Sequence, residues 1–331
     1  MIRRLVMVTT VLVALAGCDG GQSAWEVNGT SAVYIKALMV LVIAVCTLIW
    51  IMVVVITALA LRRRRNSALE AKPRSDKQVA YVVGGAVAAT VVVITMLTVA
   101  SFYTTRSIDH SDTAEVRITV RGEQWWWRII YTDPDPAKTF ETANEIHIPV
   151  GKAVRLQLES ADVIHSFWVP SLAGKQDLVP GRTNFLSIRA ERPGVYRGQC
   201  AEFCGLQHSH MAMLIVADDQ ASYEHWLSLQ RSAALSSTAQ EVLAGQGVFM
   251  QKPCAACHSI RGTSARGTVG PDLTHVGSRG TIAAGLFERT RGSLAAWVAD
   301  PQTLKPGSYM PMIPLQSHEL RQVSAYMESL K

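Results

Sequence analysis

Residues 200–211 concentrate side chains that bind soft metal ions. The segment reads CAEFCGLQHSHM and holds two thiols, Cys200 and Cys204, the imidazole of His208 and the thioether of Met211. Sulfur and imidazole donors select copper or zinc over magnesium or calcium. Four such donors could hold one zinc ion, one blue copper or two bridged coppers. A blue-copper site uses a single cysteine, so the second thiol is one too many for it.

A second imidazole lies upstream, at His165 in the segment DVIHSFWVP of residues 162–170. Together, DVIHSFWVP and CAEFCGLQHSHM resemble subunit II of the haem-copper cytochrome c oxidases. The resemblance implies a cupredoxin fold and the binuclear copper A centre. The ligands that it implies are the bridging thiolates Cys200 and Cys204, the terminal imidazoles His165 and His208, the axial Met211 and the backbone carbonyl of Glu202.

Two other interpretations of these donors remain open from the residues alone. One is a Cys200–Cys204 disulfide, and the other is a structural zinc site with two cysteines and two histidines. Either would require the two separated motifs to coincide by accident. His210 falls between the motif positions and is predicted to be a surface histidine. Asp162, three residues before His165, could orient that histidine or cap a turn.

The segment GEQWWW at residues 122–127 contains three consecutive tryptophans. On a strand, alternate side chains point to opposite faces, so Trp125 and Trp127 would share one side and Trp126 would take the other. By position, Trp125 matches the exposed aromatic residue through which electrons reach copper in the family. Packing against the sheet suits Trp127 better. Strand alternation makes His147 a sheet residue rather than a ligand.

The resemblance also implies a role for the side chain of Glu202. In the family, the carboxylate at this position reaches a magnesium ion shared with subunit I, while its carbonyl faces copper. The other magnesium ligands would lie outside this chain.

A second cofactor is indicated by CAACH at residues 254–258, a C-x-x-C-H haem attachment sequence. GPDL at residues 270–273 and a Met-Pro pair at 310–311 follow it, an order that resembles the class I c-type cytochromes. The resemblance implies covalent haem c with Cys254 and Cys257 as thioether sites, His258 as proximal ligand and Met310 as distal ligand. Met312 is the rival for the distal position. A zinc ribbon would need a second Cys/His pair.

Two soluble domains must position these sites. Apolar residues alternate with period two between turn residues over 112–230, which predicts a small antiparallel sandwich or barrel. The resemblance identifies it as an all-β, cupredoxin-like copper A domain. The small polar residues 231–240, RSAALSSTAQ, predict a flexible linker. Residues 241–331 would form an all-α cytochrome c domain ending in an amphipathic helix.

The amino-terminal residues predict export. Two arginines precede an apolar run of about twelve residues, too short to span a membrane and typical of a signal peptide. The sequence LAGC at 15–18 resembles a bacterial lipobox, which implies lipidation of Cys18 and removal of residues 1–17. An ordinary or uncleaved signal is the alternative.

Residues 18–111 are predicted to anchor the chain in a membrane. Uncharged runs predict transmembrane helices at about 34–61 and 79–105, separated by a loop that contains the four arginines 62–65. Such positive loops stay in the cytoplasm. Both soluble domains would therefore lie on the periplasmic or extracellular side of the bacterial cytoplasmic (inner) membrane. Oxidases often carry a glutamate at the start of the second helix, but here only Asp76 is present, which leaves proton pumping open.

The net charge of +6 does not indicate nucleic-acid binding. Residues 1–105 carry 10 Lys/Arg and 4 Asp/Glu, whereas residues 106–331 carry 22 of each, so the excess lies in the membrane region. Residues 106–230 hold 12 basic and 16 acidic residues, and residues 231–331 hold 10 and 6. These opposite signs would favour docking of the two soluble domains.

The sequence therefore predicts the electron-transfer subunit of a respiratory terminal oxidase. Electrons would pass from haem c to copper A and on to subunit I, where oxygen is reduced. Expected partners are subunit I, subunit III, the membrane, and an external c-type cytochrome or quinol:cytochrome c reductase as donor. The alternatives are the copper A subunit of a nitric oxide reductase, suggested by the missing glutamate, and a lipoprotein that delivers copper or haem.

Overall fold

The computed structural model describes residues 22–66, 75–108, 114, 116–235 and 237–331. The predicted signal peptide at 1–17 and the lipidation of Cys18 lie outside these residues. The chain divides into two compact units. Among the described residues, one consists of 33–66 and 75–108, and the other of 22–32, 114, 116–235 and 237–331.

Two long apolar helices carry the membrane-spanning sequence. Helix α1 is Thr30–Asn66 and helix α2 is Asp76–Ile108. Their most apolar 18-residue windows have mean hydropathies of 3.2 and 2.3, with no buried residues in either window. A helix of 37 residues extends about 55 Å, longer than the ~30 Å hydrocarbon layer. The helices therefore continue beyond the predicted spans 34–61 and 79–105, and Arg63, Arg64 and Arg65 lie in the last turn of α1.

The next domain is a sandwich of two five-stranded sheets. In spatial order, the first sheet is β3-β2-β1-β5-β8 and the second is β4-β10-β9-β6-β7. The strands are β1 (Val116–Glu123), β2 (Trp126–Tyr131), β3 (Phe140–Ala143), β4 (Glu145–Pro149), β5 (Val154–Ser160), β6 (His165–Trp168), β7 (Gln176–Leu178), β8 (Asn184–Ile188), β9 (Gly194–Cys200) and β10 (Ala212–Asp218). Helix α3 (Gln220–Arg231) follows the last strand.

The sheets are mixed, whereas the sequence predicted an antiparallel arrangement. Strand β1 pairs with β5 in parallel, and β10 pairs with β4 in parallel. The change of sheet occurs at Asn144, the single residue between β3 and β4, which has φ 61°. Asparagine tolerates this left-handed conformation better than most residues. Its side-chain oxygen accepts a hydrogen bond from Trp127 N at 2.8 Å, which fixes the crossing.

The sandwich core reaches directly to the predicted metal site. The fully buried ring of Trp127 packs against Phe167 at a centroid distance of 5.9 Å and against His165 at 6.1 Å. Alternate residues of β1 and β5 fill the same core. His165 is thus held by a packed interior rather than by a mobile loop.

The carboxy-terminal domain is helical. Its helices are α4 (Gln240–Gln251), α5 (Cys254–Cys257), α6 (Arg291–Ala299), α7 (Pro301–Leu304) and α8 (Ser317–Ser329). A short hairpin of β11 (Thr281–Ile282) and β12 (Phe287–Glu288) interrupts the helices. Helix α4 crosses α8 at Gly245, where a β-carbon would lie 2.0 Å from the carbonyl oxygen of Gln322. Only glycine allows this approach.

The segment between the two soluble domains is fixed at its start, whereas the sequence predicted a flexible coil. Ala234 N donates to Arg261 O at 3.1 Å, and Ser232 O lies 3.3 Å from Nε2 of His275. Arg261 also donates to Gln230 O at 2.6 Å. These contacts hold the beginning of the segment against the carboxy-terminal domain.

His147 lies in β4 and is part of an ionic cluster in the sandwich. Its Nδ1 lies 2.6 Å from Asp218 and its Nε2 lies 3.2 Å from Glu145, while its ring stacks on Trp226 at 4.1 Å. Burial lowers the pKa of His147, but the hydrogen bonds to the two carboxylates outweigh it and raise the pKa above its usual value. The protonated imidazole therefore stabilises the fold.

Replacing His147 with glutamine should lower the free energy of unfolding by about 1–3 kcal/mol at low pH, the magnitude of hydrogen bonds between charged groups. Because the folded-state pKa is raised, this stabilisation is fully present below the unfolded pKa of ~6.5. The stabilisation is lost as the pH rises through the pKa of His147 in the folded state. Denaturant unfolding of wild type and H147Q should therefore converge at high pH. Exposed His225→Gln is the matched control, and a pH-independent difference for H147Q would contradict the prediction.

Candidate metal centre and haem site

The predicted metal loop connects β9 to β10. Cys200 is the last residue of β9, and Ala212 is the first residue of β10. The loop closes on itself because Cys200 N donates to Met211 O at 2.9 Å. Two paired strands of the second sheet thus hold both ends, which places the donors more precisely than the loop could alone.

The structure brings five sequence-predicted donors together. The sulfur atoms of Cys200 and Cys204 are 3.7 Å apart. Nδ1 of His165 lies 3.9 Å from Cys200 Sγ, and Nδ1 of His208 lies 3.6 Å from Cys204 Sγ. The sulfur of Met211 lies 3.8 Å from Cys204 Sγ. Both cysteines and His165 are buried and offer ligand atoms within 4.8 Å of one another.

The two thiols form no disulfide, and their pKa values are shifted in opposite directions. In the described part of the chain both are free cysteines, and a separation of 3.7 Å is well beyond the ~2.05 Å of a disulfide bond. The hydrogen bond with Cys204 lowers the pKa of Cys200, helped by the contact with His165, whereas the same hydrogen bond raises the pKa of Cys204. One thiolate is therefore available at neutral pH, and thiolates are the form that binds metal.

Asp162 orients His165. Its Oδ1 lies 2.8 Å from Nε2 of His165, so the other ring nitrogen faces Cys200. Burial lowers the pKa of His165, but the contacts with Asp162 and Cys200 outweigh it and raise the pKa. The second carboxylate oxygen accepts a hydrogen bond from Gln124 N at 2.7 Å. Asp162 thus joins the histidine to the turn that follows β1.

That turn also contains Trp125, whose position differs from the prediction in two respects. Trp125 lies between β1 and β2 rather than within a strand with Trp126 and Trp127. It is 9% exposed rather than open to solvent. The reason is that residues of the carboxy-terminal domain cover its ring: a β-carbon on Gly307 would lie 3.5 Å from the ring atom Cη2.

Two side chains of this turn bind the backbone of the metal loop. Trp125 Nε1 donates to the carbonyl oxygen of Cys204 at 2.9 Å, and Gln124 Nε2 donates to the same oxygen at 2.7 Å. Trp125 therefore contacts one of the two thiol residues directly. Sequence reasoning missed Gln124, although it stands next to Trp125 in the GEQWWW segment.

The remaining loop residues face different surroundings. The carbonyl oxygen of Glu202 lies 3.2 Å from Cys200 Sγ, while its residue is half-buried. His210 is exposed, and its Nδ1 lies 2.8 Å from the Gln207 side chain. Phe203, at 76% exposure, is one of the apolar side chains that the loop presents outward.

In the carboxy-terminal domain, helix α5 positions the haem attachment sequence. Cys254 and Cys257 are its first and last residues, and His258 follows as the capping residue. Nδ1 of His258 lies 2.8 Å from the carbonyl oxygen of Pro271, which leaves Nε2 as the free nitrogen. Burial lowers the pKa of His258, so its imidazole is neutral and able to bind a metal.

Close packing of a glycine defines the orientation of His258. A β-carbon on Gly270 would lie 2.5 Å from Cε1 of the His258 ring. The GPDL segment thus supplies both a glycine that the ring packs against and the carbonyl of Pro271 that it binds.

The two distal methionines differ in burial. Met310 packs against the domain core, whereas Met312 is 60% exposed. Gln302 Nε2 donates to Met310 O at 2.7 Å and fixes the backbone there. A partly buried thioether fits an axial position better than an exposed one, so the packing favours Met310.

Comparison with protein-family models gives two matches along the chain. The model described as "Cytochrome C oxidase subunit II, periplasmic domain" matches residues 134–218. The model described as "Cytochrome c" matches residues 242–331. The first includes every predicted copper ligand, and the second includes the haem attachment sequence.

Curated relatives extend the similarity to the whole chain. A cytochrome c oxidase subunit 2 of Alkalihalophilus pseudofirmus is 34% identical over 345 aligned residues, which cover 99% of this chain and 97% of the relative. A cytochrome c oxidase subunit 2 of Bacillus subtilis is 31% identical over 65% of this chain and 62% of the relative. Among solved structures, the periplasmic domain of cytochrome oxidase subunit II from Bradyrhizobium japonicum is 32% identical, with a TM-score of 0.34 over 36% of this chain and 94% of that chain.

Replacing Gly270 with alanine should displace the His258 ring, because no space exists for the added methyl group. Overpacking of this kind costs about 1–3 kcal/mol. The thermal unfolding midpoint of the carboxy-terminal domain and its covalent haem content should both fall. Gly247→Ala is the matched control, since a β-carbon there meets nothing within 4 Å. Equal haem content and midpoints in both variants would contradict the packing argument.

Proposed function

This chain belongs to the cytochrome c oxidase subunit 2 family, and we propose from that premise which of its residues hold the redox centres and connect them. The chain is the electron-transfer subunit of a haem-copper oxidase, an oxidoreductase complex in which it associates with subunit I. Its cofactors are copper A and haem c. It is a membrane protein with a periplasmic domain.

The donor set of the metal loop fits copper A. Cys200 and Cys204 would hold a pair of metals through their sulfur atoms, which lie 3.7 Å apart and are not joined by a disulfide. Each thiol has one imidazole within 3.9 Å, from His165 and His208 respectively. Met211 and the carbonyl of Glu202 complete the set. This clustering of two thiols with two imidazoles is the observation that carries the proposal.

The carboxy-terminal site fits a covalently attached haem. Cys254 and Cys257 would hold the porphyrin, and the Pro271 carbonyl orients His258 with its Nε2 free for iron. Met310 would take the distal position. A haem held by an imidazole and a thioether would serve electron transfer rather than catalysis.

When bound, copper A and haem c each take up and release single electrons. The protein's part is to hold the donors rigidly and to connect the sites. We assign the connection to Trp125, whose indole N–H binds Cys204 O at 2.9 Å while its ring lies under the haem domain. Electrons would therefore enter this chain through the haem domain and leave through the metal loop to subunit I.

Several finer assignments extend the proposal. The Glu202 carboxylate would bind a magnesium ion shared with subunit I. Subunit III would be a further partner, and a c-type cytochrome or quinol:cytochrome c reductase would supply electrons. The chain would lie in the bacterial inner membrane, with Cys18 lipidated. The relatives described above are cytochrome c oxidase subunits, which favours oxygen reduction over the nitric oxide reductase and delivery alternatives.

Metal analysis of the purified chain tests the copper assignment. Wild type should contain two copper atoms per chain, and Cys204→Ser should lose the mixed-valence colour and most of the copper because one of the two thiolates is removed. Cys46→Ser, a free and exposed cysteine, is the matched control and should keep both. Zinc, or a single copper in wild type, would overturn the assignment.

Electron passage from the haem domain to copper tests the role of Trp125. Trp125→Phe removes the bond to Cys204 O and should slow passage by about tenfold, the order of effect of one positioning hydrogen bond. The copper and haem spectra should be unchanged. Trp126→Phe is the matched control, since Trp126 instead packs against Arg128 at 4.8 Å. Equal rates in wild type and W125F, measured after rapid photoreduction of the haem, would reject this role.

A further inference from the structure

The copper and haem domains meet through hydrogen bonds that run to backbone atoms. On one side, Arg128 donates to Thr268 O at 2.8 Å, and Gly280 N donates to Glu145 at 2.7 Å. On the other, Gln207 Nε2 donates to Pro306 O at 2.8 Å. Backbone partners cannot change rotamer, so such bonds specify one relative orientation of the domains.

Lys305 lies at the centre of this interface. It belongs to the haem domain, is 3% exposed, and is held by three carbonyl oxygens. Its Nζ donates to Trp125 O at 2.8 Å, His210 O at 2.7 Å and Ala283 O at 3.1 Å. An ammonium group has three N–H donors, so all of them are used. Two of the acceptors belong to the copper domain.

A buried ammonium is unfavourable unless each donor is satisfied. Lys305 obtains two of its three partners only when the copper domain is docked. Separation of the domains would therefore break two of the three hydrogen bonds of the Lys305 ammonium group. A solvent-exposed lysine would lose less on separation, because water already binds its ammonium group.

The third acceptor belongs to a turn with an unusual backbone. Ala283, Ala284 and Gly285 connect β11 to β12 and have φ values of 53°, 61° and 76°. Alanine is disfavoured in this left-handed region, and strained backbone of this kind persists where surrounding structure requires it.

Three successive carbonyls of this turn point into the interface. Ala283 O accepts from Lys305, Ala284 O accepts from Ala212 N at 2.9 Å, and Gly285 O lies 3.3 Å from the Arg197 donor. The left-handed conformation gives these carbonyls their direction. Ala212 directly follows the metal ligand assigned at Met211, so the turn also contacts the end of the metal loop.

Residues on either side of Lys305 connect Met310 with Trp125. Gln302 binds Met310 O with its Nε2 at 2.7 Å and accepts from Gly307 N at 3.2 Å. Gly307 lies against the Trp125 ring. A continuous set of contacts therefore runs from the assigned distal methionine to the indole that binds Cys204.

We propose that Lys305 and the Ala283–Gly285 turn form an interdomain latch that keeps the haem domain docked on Trp125 and the metal loop. Lys305 is a positioning residue: it acts through Trp125 and His210. Docking also places Gly307 against the Trp125 ring, so a soluble donor would deliver its electron to the haem domain. The part of this inference that concerns electron passage rests on the function proposed above.

Lys305→Met in the full-length, cofactor-loaded chain tests the latch, because methionine keeps the length and loses the donors. Amide hydrogen exchange is the first readout. The amides of Ala212 and Gly280 bond across the interface, and their exchange should accelerate by about tenfold or more. Amides bonded within the copper domain, such as Leu214 N to Asn144 O, should be unaffected.

Lys138→Met is the matched control, since it removes an exposed lysine whose partner is Asp135 at 3.8 Å within the copper domain. It should leave both interface amides protected. If the copper and haem spectra show that K305M does not fold, the same exchange measurement is made on Arg197→Gln. This variant removes the contact between Arg197 of the copper domain and Gly285 O of the haem domain. Unchanged exchange at Ala212 and Gly280 in the folded variant would overturn the latch.

Electron passage is the second readout and separates the two proposals. In wild type, photoreduced haem should pass its electron to copper, and in K305M passage should slow by about tenfold and become sensitive to solvent viscosity, as expected when docking limits the rate. If no electron passes from haem to copper in wild type, the proposed function is rejected. The latch is then judged by amide hydrogen exchange alone. Rapid, viscosity-independent passage in K305M would reject the latch alone.

Discussion

The hydrogen bond from the Trp125 indole to the Cys204 carbonyl is the interaction on which the connection between the sites depends. At 2.9 Å and buried, it joins the turn between β1 and β2 in one sheet to the loop between β9 and β10 in the other. The Cys204 sulfur lies among the side chains of Cys200, His208 and Met211, while its carbonyl oxygen faces Trp125. Any shift of the loop would therefore move the indole as well. Gln124 binds the same oxygen and restricts that movement further.

In the proposed function, burial of Trp125 would change how electrons reach the copper domain. An exposed aromatic residue would accept any donor that collided with it in a suitable orientation. Here the haem domain covers the ring, so the attached donor would have permanent access. A tether alone would raise the effective concentration of that donor. The hydrogen bonds between the domains have an additional effect, because they hold the haem domain in one orientation relative to the copper domain.

The charged side chains at the interface are buried and bind backbone groups of the other domain. The opposite charges of the two domains suggested docking by long-range attraction. The contacts across the interface instead place charged groups such as Lys305, Arg128 and Glu145 against backbone carbonyls and amides. Burial lowers the pKa of Lys305 to about 7, which shows how much the cation loses when it leaves water. Its three carbonyl partners fix the position of the side chain.

The sequence alone identified the candidate donor residues, because thiols, imidazoles and thioethers at fixed spacing are a property of local composition. It also determined the membrane helices and the order of the domains, which follow from apolar runs and motif order. It could not place Trp125 under the haem domain, assign Lys305 to the interface or show that Ala283 and Ala284 are left-handed. Those features depend on contacts between residues up to 180 positions apart, which only the tertiary structure brings together.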